Sequence, residues 1–113
     1  YYGFASNILA ANFVREVNAV TFACVMIRRD LIEEIKFDKR LPIDYNDIDF
    51  CIQAKQKGHK IYYTPWAVSL HFESATKEMT ETEDFIYFEA KHRDYLRKFP
   101  TFEQRKQDML QGL

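Results

Sequence analysis

Three glycines, three prolines and two cysteines are all that 113 residues contain of the residues that most constrain a chain. The glycines and prolines are isolated, so no flexible linker, low-complexity tract or internal repeat divides the sequence. Cys24 and Cys51 stand in apolar contexts without CxxC spacing. They read as small buried thiols of a reducing compartment, which excludes a disulfide scaffold and a cysteine zinc site. No apolar run reaches membrane-spanning length, and the first residues are not expected to act as a signal peptide. An excess of one charge is also missing: 16 basic and 17 acidic residues leave a formal charge of -1. The basic clusters are short (Arg28-Arg29, and a scatter from Lys91 to Lys98 among acids), so nucleic acid is not an expected partner.

What is present is apolar and aromatic. Hydrophobic residues make up 47% and aromatics 16%, enough for a packed core and too much for global disorder. The length fits one small domain or part of a larger one, and a first residue of Tyr1 is read as a piece of a longer protein.

The run 17–27, "VNAVTFACVMI", is β-branched and nearly uncharged, and predicts a strand buried on both faces. Asp30 is expected to cap a short helix over "LIEEI". A second helix is expected from about Asp47 to Lys57, with Asn46 as N-cap and Asp47 and Asp49 complementing the dipole. Ile48, Cys51, Ile52 and Lys55 form its mostly apolar stripe, and Gly58 stops it from the C′ position. "KIYYTP" is a strand closed by Pro65, and "AVSLHF" a further short strand. Phe85, Phe88, His92, Tyr95 and Phe99 recur at helical spacing, Pro100 breaks the pattern, and 101–113 is a final amphipathic helix. The class is α/β, with too few strands for a complete doubly wound sheet.

The chemistry-bearing stretch is "DYNDIDFC". In a helical first turn Asp47 and Asp49 point about 200° apart, from the ~100° step per residue. Asp47, where a loop enters the helix, can project into a cleft. Asp49 is expected on the solvent side. His71 ends a strand, with Glu73 and Ser74 after it. A single histidine without a second His or Cys is a weak metal signal, so a metal hydrolase using Asp47, Asp49, His71 and Glu73 ranks low. His59 is expected to face solvent and His92 to lie among core aromatics.

The order of these pieces carries more than any one of them. Thr21 and Ala23-Cys24 on a buried run, the Phe37-Asp38 loop, Asn46-Asp47-x-Asp49-Phe50-Cys51, Gly58 before a strand, Pro65, and His71-x-Glu73-Ser74 span residues 17–78. Together they resemble the C-terminal half of bacterial family 2 glycosyltransferases of the GT-A fold. The resemblance implies a single partial domain: residues 17–78 as acceptor and catalytic core, residues 79–113 as C-terminal helices, and a nucleotide-binding half outside this chain. It implies Asp47 as the general base that deprotonates an acceptor hydroxyl, with inversion at the anomeric carbon. His71 matches a position that helps hold the divalent metal, Mg²⁺ or Mn²⁺, or the donor diphosphate. Thr21, Phe22 and Ala23 match the sugar pocket, with Asn46 and Asp49 beside it. Glu73, Ser74, Thr76 and Lys77 match a loop near the donor phosphates, where Lys77 would neutralise leaving-group charge.

The partners so implied are a nucleotide-sugar donor and a saccharide or lipid-linked acceptor. The setting is cytoplasmic, with peripheral association at the inner membrane face through the acceptor. The isolated 113 residues are expected to be inactive, and a bare strand edge at 17–27 to favour a homodimer. The alternative is a non-catalytic interaction module on the same scaffold.

Overall fold

The computed structural model describes residues 9–72 and 81–111. A 3-10 turn at Leu9–Ala11 leads into β1 (Arg15–Val17). Helices α1 (Arg29–Glu34) and α2 (Asn46–Gln56) follow, then β2 (Ile61–Tyr63), α3 (Glu81–Leu96) and α4 (Phe102–Gln111). The two strands pair antiparallel, Arg15 opposite Tyr63 and Val17 opposite Ile61.

α2 is the centre of the described fold. Phe50 and Ala54 join Ile35 in one buried cluster, against which Phe22, Ile27 and Leu31 pack. Ile52 joins Leu41 and Phe88 in a second cluster with Tyr45, Ile48, Tyr87, Tyr95 and Leu96. A helix gripped from two sides buries most of its circumference, and Asp49, Phe50, Cys51, Ile52 and Ala54 are all buried. The expected single stripe captures only part of this. It also misplaces Asp49, which is 0% exposed instead of facing solvent.

Gly58 stops α2 as its chemistry requires. At φ +86° it occupies the left-handed region, its N–H donates to the Lys55 carbonyl, and the His59 N–H donates to the Ala54 carbonyl. These are the two bonds of a Schellman ending. A Cβ here would meet no atom within 4 Å, so Gly58→Ala carries conformational strain without a clash. Equilibrium urea unfolding should register a loss of about 1 kcal/mol, the left-handed penalty of an L-residue; an unchanged midpoint would contradict this ending. A salt bridge from Glu34 to Lys57 at 3.3 Å and a 3.5 Å contact from Glu34 to Nε2 of His59 fasten the same end to α1.

Several expected elements differ. Only Arg15–Val17 forms a strand in the first apolar region, and residues 18–28 run without regular structure, with Met26 98% exposed. A strand needs a bonded neighbour along its edge, and among the described residues β1 pairs only with β2 while none of 18–28 is paired. Cys24 is accordingly exposed; only Cys51 is buried. "AVSLHF" pairs with no described strand, and Trp66, Val68, Leu70 and Phe72 are each more than three-quarters exposed. α1 and α2 are capped by Arg28 and Tyr45 without a side-chain cap bond, where Asp30 and Asn46 were expected. Asp30 instead bonds Arg28 at 2.6 Å. Asn46 donates its amide to the Pro42 and Ile43 carbonyls at 3.4 and 3.3 Å, bracing the preceding loop. No described helix is long and apolar enough to cross a membrane.

Candidate functional site at the start of helix α2

The entry to α2 is built on an uncommon backbone. Tyr45 is the one non-glycine residue with positive φ among those described, at 61°, a conformation that disfavours an L side chain. Its ring stacks on Phe88 of α3, 5.2 Å away at 21°, and lies 5.9 Å from Phe85. The turn through Tyr45 delivers Asn46 and Asp47 into the first helical turn.

Asp47 is half-buried and meets the 20–23 loop. Its Oδ2 accepts the Phe22 N–H at 3.3 Å and its Oδ1 accepts the Ile48 N–H at 2.8 Å. The Cys51 thiol, one turn on, donates to the Val20 carbonyl at 3.8 Å. Burial first, and the Asp47 charge as a lesser cause, push the Cys51 thiol up. The Thr21 hydroxyl accepts the Ala23 N–H at 3.3 Å and closes the loop. Beneath it, the Phe22 ring meets Phe50 at 5.4 Å and Phe37 at 6.0 Å, with Phe37 and Phe50 5.1 Å apart. Thus Phe22, in the loop that Thr21 and Ala23 close, meets Asp47 across 25 positions, while the Asn46 side chain turns to the Pro42–Ile43 loop instead. A carboxylate so held keeps lone pairs for a substrate proton while two N–H groups fix its direction.

Asp49 lies on the other side of the helix, in contact with α3. Its Oδ1 is 2.6 Å from Nε2 of His92 and 2.7 Å from Nζ of Lys91, and its Oδ2 accepts the Gln53 amide at 2.8 Å. His92 is itself buried at 5% exposure and departs from helical geometry, at φ -110° and ψ 16°, within α3. Lys91 also donates to Asp38 at 2.8 Å, and Asp38 accepts the Tyr87 hydroxyl at 2.6 Å. The Arg40 guanidinium sits 4.0 Å over the Tyr87 ring. Sequence reasoning missed Tyr87, Lys91 and the pairing of His92. The available signal was His92 on an apolar helical face, since a buried imidazole requires a polar partner.

The network has a definite electrostatic sign. Lys91's hydrogen bond, then Tyr87's, hold the Asp38 carboxyl far below its usual range. The Asp38 bond, together with burial, raises the Tyr87 hydroxyl. Burial opposes the Lys91 charge, but the bonds to Asp38 and Asp49 outweigh it and raise Lys91. A depressed carboxyl stabilises the fold above its unfolded value of 3.8 and loses that contribution as pH falls through its folded value. Raised Tyr87 and Lys91 lose theirs only as pH rises above 10 and 10.5. Wild-type stability should therefore fall on acidification below about pH 4, and Asp38→Asn should flatten that limb. Parallel acid limbs in chemical-denaturation series at stepped pH would contradict the assignment.

The remaining expected residues are not joined to Asp47. His71 is exposed, and Glu73, Ser74, Thr76 and Lys77 lie outside the described residues. Among the described residues no three His, Cys, Asp or Glu side chains gather in a metal-holding group. An open groove of about 560 Å³ runs along β1, lined by Arg15, Glu16, Val17, Asn18, Ala19 and Lys55, and includes none of the expected site residues.

Over 83 residues, 72% of its length, the chain is 29% identical to the uncharacterized protein y4gI of Sinorhizobium fredii (strain NBRC 101917 / NGR234). It spans 9% of that protein's length. No protein-family profile and no solved structure matches the chain.

Proposed function

We propose that this chain is the acceptor-side catalytic portion of an inverting glycosyltransferase with a GT-A-type α/β fold, acting in bacterial surface polysaccharide synthesis. One observation carries the reading: Asp47, at the helix start, is hydrogen-bonded to the loop 21–23 that the resemblance assigns to the sugar pocket. Asp47 takes the proton of an acceptor hydroxyl as that oxygen bonds to the donor's anomeric carbon. The bond from that carbon to the diphosphate oxygen breaks in the same displacement, and the nucleoside diphosphate leaves with the electron pair. Asp47 ends protonated, and the anomeric configuration is inverted.

The donor is a nucleotide-sugar, used with Mg²⁺ or Mn²⁺, and the acceptor a saccharide or lipid-linked saccharide. The described residues alone do not make a divalent-metal set, because His71 stands without clustered ligands beside it. Proton abstraction by Asp47 needs no contact with the metal. Most of the donor site belongs to a longer protein, in keeping with the small share of the Sinorhizobium relative that the chain spans. The proposed setting is the cytoplasm, at the inner membrane face where lipid-linked acceptors lie.

Titrating UDP- and GDP-sugars by calorimetry, with Mg²⁺ or Mn²⁺, into the full-length protein and into the 113 residues tests this assignment. Metal-dependent binding only by the full-length protein is expected. Tight binding by the 113 residues alone would contradict the division of the site.

A second reading, a non-catalytic interaction module, is favoured by the exposed alternating run Trp66, Val68, Leu70, Phe72. Self-association of the isolated chain through this run is expected in light scattering. A monomer across micromolar concentrations would contradict it.

A further inference from the structure

Helix α3 touches the residues two positions before and two positions after Asp47. Phe88 stacks on Tyr45, the left-handed residue that turns the chain into α2. Lys91 and His92 hold Asp49 through one carboxylate oxygen, at 2.7 and 2.6 Å. Phe88, Lys91 and His92 recur at helical spacing, so one segment of α3 grips both flanks of the Asp47 turn. Asp49 is fully buried and His92 nearly so, which leaves neither side chain free to settle elsewhere without stranding the other. Asp47 points away from this grip, and its own tie is the 3.3 Å bond from the Phe22 N–H. The rotational setting of α2 about its axis decides whether that bond can form.

From this geometry we infer that Asp49, His92 and Lys91 are positioning residues: they lock the first turn of α2 against α3 and thereby aim the Asp47 carboxylate at the 21–23 loop. The inference rests on the proposed function only for what Asp47 does once aimed. Small rotations of a reacting group are expensive, since a misplacement of about 1 Å can reduce turnover about 100-fold. The inference therefore assigns to α3 a share of the proposed reaction, although none of the three residues would touch substrate.

The test is the backbone amide signal of Phe22 in nitrogen-15 spectra of the full chain, referenced to Asp47→Ala, which removes the acceptor of that amide. His92→Ala should displace the Phe22 signal toward its Asp47→Ala position. His92→Gln, which keeps an N–H donor for Asp49, should restore it. In the full-length protein His92→Ala should lower kcat about 100-fold with little change in KM for the acceptor, and His92→Gln should recover most of that loss. If His92→Ala does not fold, Lys91→Gln replaces it, because Lys91 is only partly buried. A folded variant with an unmoved Phe22 signal overturns the inference. If the wild-type full-length protein transfers no sugar, the functional reading fails, and the Phe22 signal still decides whether α3 aims Asp47.

Discussion

Asp49→Ala should destabilise the fold by about 3 kcal/mol or more, the cost of breaking a buried ion pair by removing one partner. The wild-type carboxylate answers His92, Lys91 and Gln53 at 2.6–2.8 Å while wholly shielded from water. Its removal strands His92, which has 5% exposure and cannot turn to solvent. Lys91 suffers less, because it keeps Asp38 at 2.8 Å and is partly exposed. This difference places the loss toward the lower end of the range for broken buried pairs, about 3–5 kcal/mol. It is still a large share of the roughly 5–15 kcal/mol by which a domain is held folded. Asp49→Asn should lose less, since the amide oxygen still accepts from His92. Urea unfolding of the three proteins measures the order wild type, Asn, Ala. A loss below about 1 kcal/mol in Asp49→Ala would mean that the contact with α3 does not hold the fold together.

The second large effect is on chemistry. Asp47→Asn in the full-length protein should lower kcat by about 10²–10⁴-fold, the contribution of a positioned general base, while leaving donor KM little changed. The amide is nearly isosteric, and its oxygen can still accept the Phe22 N–H, so the loop should stay docked. Only the ability to accept a proton is removed. The expected pattern is thus loss of kcat with intact stability, the reverse of Asp49→Ala in the isolated fold. Of two aspartates spelled two residues apart, only Asp49 then carries a large unfolding free energy. Turnover near wild type in Asp47→Asn would remove Asp47 from the base role.

Local chemistry made part of the fold legible. Gly58 marks a real helix end, Pro65 lies just past β2, and the periodicity from Phe85 to Tyr95 follows α3, which ends at Leu96, short of the expected Phe99 and Pro100. These signals act within a turn or two of the residue that carries them. The run 17–27 failed as a strand because β-branched composition reports a preference, whereas a strand exists only with a partner to bond. Asp49 failed for a related reason. The polar face of a helix faces solvent only if nothing packs there, and the packing element begins more than thirty residues later. The pairing of Asp49 with His92 spans 43 positions, and no local pattern encodes it. Asn46 looked like a cap because its residue type is a common one, yet the left-handed Tyr45 takes that position. For the candidate site, the ordered motifs brought Asp47 and the 21–23 loop into view, and the structure joins them through one backbone amide. The support from α3 depends on a packing of two helices that no local pattern encodes.

The proposed chemistry is a single displacement at an anomeric carbon with Asp47 receiving the acceptor proton. The measurement that addresses it most directly is proton NMR of the sugar anomeric signal while the full-length protein turns over a panel of UDP- and GDP-sugars with a saccharide acceptor. An α-linked nucleotide-sugar should be consumed and a β-linked product should appear, and both changes should be lost in Asp47→Asn. A product that retains the donor configuration, or an unchanged rate in Asp47→Asn, would contradict it.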